Sequence, residues 1–229
     1  MVTYIESVIS DVSNILAAYE KEGFVVTKPG IRMFKPADMD YDPNAETEWG
    51  NQLSVYNSCL FEFKESAEFM IFADWDDVLV PHNYPTYMEE LSFLSKIHPS
   101  AGALVFPRIN AHVMAASDPL KFNISYGFNS LKPTEMLVAG KYAAIPSRVD
   151  GSWIHAASKL KNGFEQVFLR KESSLFWHFR KWTYYNSTPT NLEKTQFFNG
   201  NPTVIFESFQ SLLLHHNLTH VCGRTLDSD

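Results

Sequence analysis

The sequence predicts an α/β protein with a mostly parallel sheet flanked by helices, and three observations lead to this class. Through the first half of the chain, helical apolar stripes alternate with short apolar runs of strand length. Their order is helix, strand, helix, strand, helix, strand, which is typical of parallel strands joined by crossover helices. No repeat or linker divides the 229 residues, so we expect one domain, residues 1–229, with an irregular C-terminal half.

The first helix and strand are indicated by periodicity. Apolar residues recur at helical spacing over residues 5–19, and Gly23 is well placed to end that helix. The β-branched run 24–27 then predicts a short strand.

Two more helix–strand pairs follow. Residues 49–63 carry a second helical stripe, which leads into the apolar strand 69–73. Thr86 and Glu89 form a capping-box pattern that predicts the start of a third helix. The apolar run 103–106 predicts the strand after it.

The second half is less regular. Residues 115–133 are polar and aromatic without clear periodicity, so they predict a long loop or lid. Residues 142–145 predict a strand and residues 204–216 a helix, whereas residues 173–182 are too short a pattern to assign.

Composition excludes several functions. The net charge is −7 and no stripe of Lys and Arg is present, which argues against a nucleic-acid partner. No apolar run is long enough to span a bilayer, and the N-terminus lacks a signal peptide, so no membrane contact by this chain itself is expected. The sequence does not decide whether Cys59 and Cys222 form a disulfide bond.

An acidic cluster directly follows the predicted strand 69–73. Its carboxylates are Asp74, Asp76 and Asp77, which repel one another unless a cation lies between them. A hard divalent cation such as Mg²⁺ or Mn²⁺ meets this need and can hold phosphate at the same time. The alternative is an acidic turn after a core strand.

Two classes of enzyme place Asp-x-Asp after an apolar strand. In haloacid dehalogenase-type phosphohydrolases the first Asp is a nucleophile, whereas in sugar-nucleotide glycosyltransferases the motif binds a metal that neutralises the donor diphosphate. The phosphohydrolase class also needs a later acidic pair. Among the later aspartates only Asp227 and Asp229 lie close together, and they are at the C-terminus, so the context favours the glycosyltransferase.

Four ordered blocks resemble the catalytic domain of glycosyltransferase family 92, most clearly over residues 4–182. They are residues 51–60, residues 72–81 with the acidic cluster, residues 140–155, and residues 178–180. The resemblance implies a GT-A-like fold and transfer of a hexose from a nucleotide-sugar donor to a glycan acceptor. It implies UDP-galactose as the leading donor, Mn²⁺ or Mg²⁺ as the cofactor, and a Golgi location with a membrane anchor.

The chain departs from the family at its start. A GT-A domain opens with a strand that holds the nucleotide, and at most residues 1–4 are left for it here. We therefore expect a truncated domain without its first nucleotide-binding strand. The alternative function is a non-catalytic module that binds glycan or protein.

The predicted metal ligands are Asp74 and Asp76, because alternate residues leaving a strand point the same way. Asp77 is expected to orient a neighbour. His155 is the predicted third ligand, although a structural role beside Trp153 is equally compatible with the sequence.

Other residues are candidates for substrate contacts. His178 and Arg180 are predicted to contact the diphosphate, or else to form a structural pair flanked by aromatic residues. Glu135 and Asp150 are candidates for the catalytic base that an inverting transfer requires. Lys141 and Arg148 are candidates for binding acidic groups, although solvation at the surface is the favoured prediction.

The C-terminal tail has zinc-like spacing, with His215, His216, His220 and Cys222 close together. Adjacent histidines on a helix point to different faces, so we interpret this tail as a solvated helix end.

Overall fold

The computed structural model describes residues 1–118, 124–186, 202–218, 220–221 and 224–225. In this part of the chain the helices, α1 to α5, are Ser10–Lys21, Gln52–Phe63, Tyr87–Ile97, Ile124–Asn129 and Pro202–His215. The strands, β1 to β12, are Val2–Ile5, Val26–Pro29, Met70–Phe72, Asp77–Val80, Ala101–Ala116, Lys132–Ala144, Val149–Ser152, Ala157–Leu160, Glu165–Phe168, Leu175–Tyr185, His220–Val221 and Arg224–Thr225.

The largest sheet corrects the prediction of mostly parallel strands, although the α/β class is confirmed. Its strand order is β3-β6-β5-β10-β4, and β9 pairs with β5. The pairs β3–β6 and β4–β10 are antiparallel, whereas β5–β9 is parallel. The prediction was wrong because neither β3 nor β4 pairs with the next strand along the chain after a single crossover helix. They pair instead with strands that return from much later in the chain.

A short loop, residues 73–76, forces this sheet to curl. The loop joins β3 to β4, and these two strands are the opposite edges of the five-strand path. Five flat strands would hold the edges about 19 Å apart, whereas the five residue steps between them span at most about 18 Å when fully extended. The loop is not extended, because the amide of Asp77 donates to the carbonyl of Asp74 over 3.0 Å. The two edges therefore meet at this loop.

Two helices cover the two faces of the curled sheet. Leu60 of α2 packs in one buried cluster with Tyr142, whereas Leu94 of α3 packs in another with Ala143. Adjacent residues of β6 thus point to opposite faces, as strand geometry requires. Phe72 stacks on Tyr142 with ring centroids 4.9 Å apart, which fixes β3 against β6.

The chain divides into two compact units. One contains residues 1–30, 111–133 and 180–229, and the other contains residues 31–110 and 134–179. In the first unit β1 and β2 pair in parallel with α1 between them, so a crossover helix is present there. The single domain stays a prediction.

The first helix begins later than its apolar stripe indicated. Ile5 belongs to β1, where it lies opposite Pro29, and α1 begins at Ser10. The stripe was misread at its start because apolar residues at the end of a strand happened to match the helical spacing.

The remaining predictions have mixed outcomes. The capping box is confirmed, since the amide of Glu89 donates to the hydroxyl of Thr86. Residues 173–182, left unassigned, lie largely in β10. The predicted loop 115–133 includes α4 and the ends of β5 and β6, and its residues 119–123 lie outside the described part. Among the described residues, no helix is both long and apolar enough to cross a membrane.

Candidate active site

The acidic cluster of Asp74, Asp76 and Asp77 lies where the curled sheet closes. Asp74 follows β3, and Asp77 is the first residue of β4. The strands between these edges supply buried basic side chains that reach the cluster, Lys141 from β6 and Arg108 from β5. The site is thus built from strands that are distant in sequence.

Asp74 is held on both carboxylate oxygens. Its Oδ2 atom lies 2.8 Å from Nζ of Lys141, and its Oδ1 atom accepts from Nε2 of Gln52 at 2.6 Å and from the Tyr56 hydroxyl at 3.2 Å. Partial burial acts to raise the pKa of Asp74, but the hydrogen bond and charge of Lys141, together with the hydrogen bonds from Gln52 and Tyr56, outweigh it. The pKa of Asp74 therefore lies below its ordinary value, and this carboxylate stays ionised.

Asp77 is the buried member of the cluster. Its side chain has no exposed surface, and its Oδ2 atom lies 3.2 Å from Nη1 of Arg108 and 3.9 Å from Nζ of Lys141. Burial raises the pKa of Asp77, although both cations oppose the increase. The charges of Asp74 and Asp77 are thus compensated by the protein's own cations. Repulsion among the carboxylates therefore calls for a further cation mainly beside Asp76.

Asp76 and His178 form the more open part of the site. The Asp76 side chain is 46% exposed, and its Oδ2 atom lies 3.0 Å from Nε2 of His178. His178 is buried and lies directly opposite Asp77 in the antiparallel pair of β4 and β10. Residues opposite each other in such a ladder project to the same face. This pairing explains how His178 meets two aspartates that lie about a hundred positions earlier in the sequence.

The hydrogen bond that Nδ1 of His178 makes determines the role of Nε2, the nitrogen that faces Asp76. Its Nδ1 atom lies 2.9 Å from the Oδ1 atom of Asn110, which only accepts hydrogen bonds, so Nδ1 carries a proton. Nε2 then faces the Asp76 carboxylate either as a protonated donor or with a cation between the two groups. Ligand atoms of Asp76, Asp77 and His178 lie within 4.8 Å of one another, so this donor set fits a divalent cation.

The structure brings some predicted ligands close to these residues. Asp74 and Asp76 share the loop, but Asp74 is engaged by Lys141. His155 is half-buried, and its Nδ1 atom donates to the carbonyl of Gly140 over 2.8 Å. Burial lowers the pKa of His155, and the charges of Lys141 and Arg108 lower it further, so this histidine lies near the same cations.

The other predicted site residues lie away from the acidic cluster or outside the described residues. The Asp150 carboxylate lies 3.0 Å from Nζ of Lys64, whose hydrogen bond lowers the pKa of Asp150. Arg180 is exposed and belongs to the first unit. The side chain of Glu135 lies outside the described residues, as does Cys222.

Three residues of the site were not predicted from the sequence. Lys141 was expected at the surface but is fully buried, and neither Arg108 nor Asn110 was identified. One signal was present: Lys141 borders an apolar strand and Arg108 follows another, where an unpaired cation would be costly. Such positions call for a buried anion, and the acidic cluster provides it.

These features describe an α/β protein with an acidic site at the closure of its sheet, and comparison with known proteins gives the family. The sequence profile of glycosyltransferase family 92 matches residues 1–219. The chain belongs to glycosyltransferase family 92.

Three curated proteins of Caenorhabditis elegans, each named as a glycosyltransferase family 92 protein, are similar to the chain. One is 33% identical over 183 residues, which is 79% of this chain and 35% of the relative. Another is 32% identical over 158 residues, 68% of this chain and 32% of the relative. A third is 31% identical, covering 66% of this chain and 31% of the relative. The chain spans about a third of the length of the relatives it matches.

Proposed function

We propose that this chain catalyses transfer of a hexose from a nucleotide sugar to a glycan acceptor with the help of a divalent cation. Membership of a glycosyltransferase family supports the reaction class. The convergence of Asp76, Asp77 and His178, with Asn110 fixing the imidazole, is the observation that carries the proposal. UDP-galactose is the proposed donor and the Golgi lumen the proposed location, both from the family resemblance.

We assign the cation to Asp76, Asp77 and His178. This set shares Asp76 with the set predicted from sequence, Asp74, Asp76 and His155. A buried imidazole and two carboxylates suit Mn²⁺, which accepts both nitrogen and oxygen ligands, and Mg²⁺ is the alternative. When bound, such a cation would neutralise the diphosphate of the donor and stabilise the leaving nucleoside diphosphate.

The chain's own residues prepare this site for a polyanion. Lys141 and Arg108 compensate Asp74 and Asp77, so the cluster does not carry three uncompensated charges that would repel a diphosphate. Asn110 holds His178 with Nε2 turned toward Asp76. His178 and Arg180 stay proposed diphosphate contacts, and Glu135 and Asp150 stay proposed bases. The lowered pKa of Asp150 makes it a weaker base for a sugar hydroxyl than an ordinary aspartate.

Titration calorimetry with Mn²⁺, followed by UDP, tests the site. We expect the wild type to bind Mn²⁺ and then UDP, and Asp76→Asn to lower the Mn²⁺ affinity at least about tenfold. Asp150→Asn is the matched control, because it removes a carboxylate whose partner is Lys64 and should leave binding unchanged. Equal binding by wild type and Asp76→Asn would contradict the assignment. Comparing Asp74→Asn with Asp77→Asn distinguishes the two ligand sets.

A second measurement tests the reaction itself. Turnover of UDP-galactose, with or without a glycan acceptor, is expected of the wild type and not of Asp76→Asn. The non-catalytic module that binds glycan or protein stays the alternative. Metal-dependent UDP binding without turnover of any hexose nucleotide would support that alternative.

A further inference from the structure

A second group of potential metal ligands lies in the first unit, where two helices end. Glu22 is the C-terminal capping residue of α1, and α5 ends at His215, next to His216. The Nε2 atom of His216 lies 2.9 Å from Oε1 of Glu22, and the Nε2 atom of His215 lies 3.7 Å from the same oxygen. All three ligand atoms lie within 4.8 Å of one another. We call these three residues the helix-end cluster.

The two histidines converge although they are adjacent in sequence. Their ring centroids lie 5.0 Å apart with the planes at 84°, and both rings approach the same carboxylate. Asn217 has a left-handed φ of 56°, and the amide of Leu218 closes the helix by donating to the carbonyl of Leu213 over 2.8 Å. The expected divergence of the histidines toward solvent is therefore not what the structure shows.

A hydrogen bond to Glu22 explains the position of the His216 ring but not that of the His215 ring. The 2.9 Å contact of His216 is a normal hydrogen-bond distance, whereas the 3.7 Å contact of His215 is too long for one. His215 is 72% exposed and would otherwise gain little by facing Glu22. The mutual approach of all three ligand atoms, within 4.8 Å of one another, is close enough for them to bind one ion.

The electrostatic surroundings also favour a cation. The last carbonyl groups of a helix carry a partial negative charge, and here the C-terminal ends of α1 and α5 both contribute it. Glu22 adds a full negative charge. Two imidazole nitrogens and one carboxylate oxygen suit Zn²⁺, whereas Mg²⁺ and Ca²⁺ prefer oxygen ligands throughout.

We propose that the helix-end cluster is a zinc site in which Glu22, His215 and His216 bind the ion and water completes a tetrahedral shell. The ion joins the end of α1 to the end of α5 within the first unit. This site shares no residue with the acidic cluster and does not depend on the proposed sugar transfer.

Zinc calorimetry on the chain without a histidine tag tests the proposal. We expect the wild type to bind Zn²⁺ at this site and to show a raised thermal midpoint, because a ligand specific to the native state stabilises it. His215→Ala and Glu22→Gln should each lower the affinity of this site at least about tenfold and remove the thermal shift. Unfolding of these variants is not expected to interfere, since His215 is largely exposed.

Two control variants locate the binding. His82→Ala removes another exposed histidine and should keep the whole zinc-dependent thermal shift. Asp76→Asn alters the acidic cluster, which is the other proposed cation site, and should keep the part of the shift that His215→Ala removes. Co²⁺ in place of Zn²⁺ should give an intense visible absorption band typical of tetrahedral coordination in the wild type and in both controls, but not in His215→Ala or Glu22→Gln. The proposal is overturned if His215→Ala and Glu22→Gln bind Zn²⁺ as the wild type does. It is equally overturned if Asp76→Asn abolishes the zinc-dependent shift.

Discussion

The Nζ atom of Lys141 lies 2.8 Å from Oδ2 of Asp74, and the lysine side chain has no exposed surface. The same ammonium group lies 3.9 Å from Oδ2 of Asp77 and 3.4 Å from the carbonyl oxygen of Ile154. Lys141, like Arg108, is therefore a cation that two of the three site carboxylates share, and it makes the shorter contact with Asp74.

Lys141→Met should destabilise the protein. The substitution keeps the length of the side chain but leaves buried Asp77 and half-buried Asp74 with Arg108 as their remaining cation. Breaking a buried ion pair costs about 3–5 kcal/mol, and the partial exposure of Asp74 places our expectation near the lower end, about 3 kcal/mol. Urea denaturation measures the free energy of unfolding. Lys171→Met, at an exposed lysine, is the control, and equal losses in the two variants would contradict the role of Lys141.

Asn110 should control cation affinity through His178. Asn110→Ala removes the acceptor that fixes the imidazole, and loss of such an outer partner typically lowers metal affinity by about 10–100-fold. Asn110→Asp keeps an acceptor at the same place, so it should retain affinity close to that of the wild type. Calorimetry with Mn²⁺ compares the two. If both variants lose affinity equally, Asn110 acts through packing and not through the histidine.

His155 should make stability depend on pH in a defined direction. Burial lowers its pKa below 6.5, so the folded state favours the neutral ring and the unfolded state binds more protons below that pH. The stabilising contribution is present above pH 6.5 and is lost as the pH falls through the folded pKa.

His155→Asn provides the comparison, because the asparagine amide can still donate to the carbonyl of Gly140. We expect the free energy of unfolding to fall more from pH 8 to pH 5 in the wild type than in this variant. Chemical denaturation at both pH values measures the difference. An equal fall in the two proteins would show that His155 does not titrate with a lowered pKa.

Gly140→Ala should disturb the strand that carries Lys141. A methyl group at Gly140 would overlap the carbonyl oxygen of Phe106, so β6 would have to move away from β5. Overpacking of this kind costs about 1–3 kcal/mol. Gly127→Ala in α4 is the control, since its added methyl meets only ordinary contacts with Val113 and Met114 of β5 and should be neutral or stabilising. Thermal melting of both variants tests the contrast, and equal midpoints would contradict it.

The local parts of this structure could be predicted from the sequence, whereas the pairing of strands could not. The helix capped by Thr86 and the strand before Asp74 follow from patterns within a few residues. The sheet was predicted as mostly parallel because alternating helices and strands were assumed to form successive crossovers. The partners of β3 and β4 come about 70 and 100 residues later, and no local pattern marks that choice.

The candidate site was likewise predictable only where it depends on residues close together in sequence. Three carboxylates directly after a strand predicted an acidic cluster that needs positive charge nearby. The sequence does not show that Lys141 and Arg108 supply part of this positive charge. His178 was selected from a resemblance as a phosphate contact, whereas its position opposite Asp77 follows from strand register. Whether it binds a cation, as we propose, is left to the Asp76→Asn comparison.

The closure of the sheet by residues 73–76 also has a consequence for synthesis on the ribosome. Asp76 is made 102 residues before its partner His178. At about 5–20 residues per second, the acidic loop leaves the ribosome roughly 5–20 s before that histidine. The partner of β3, which is β6, is made within this interval, but β4 has no partner strand until β10 has been translated. The nascent chain therefore cannot close its sheet before that point.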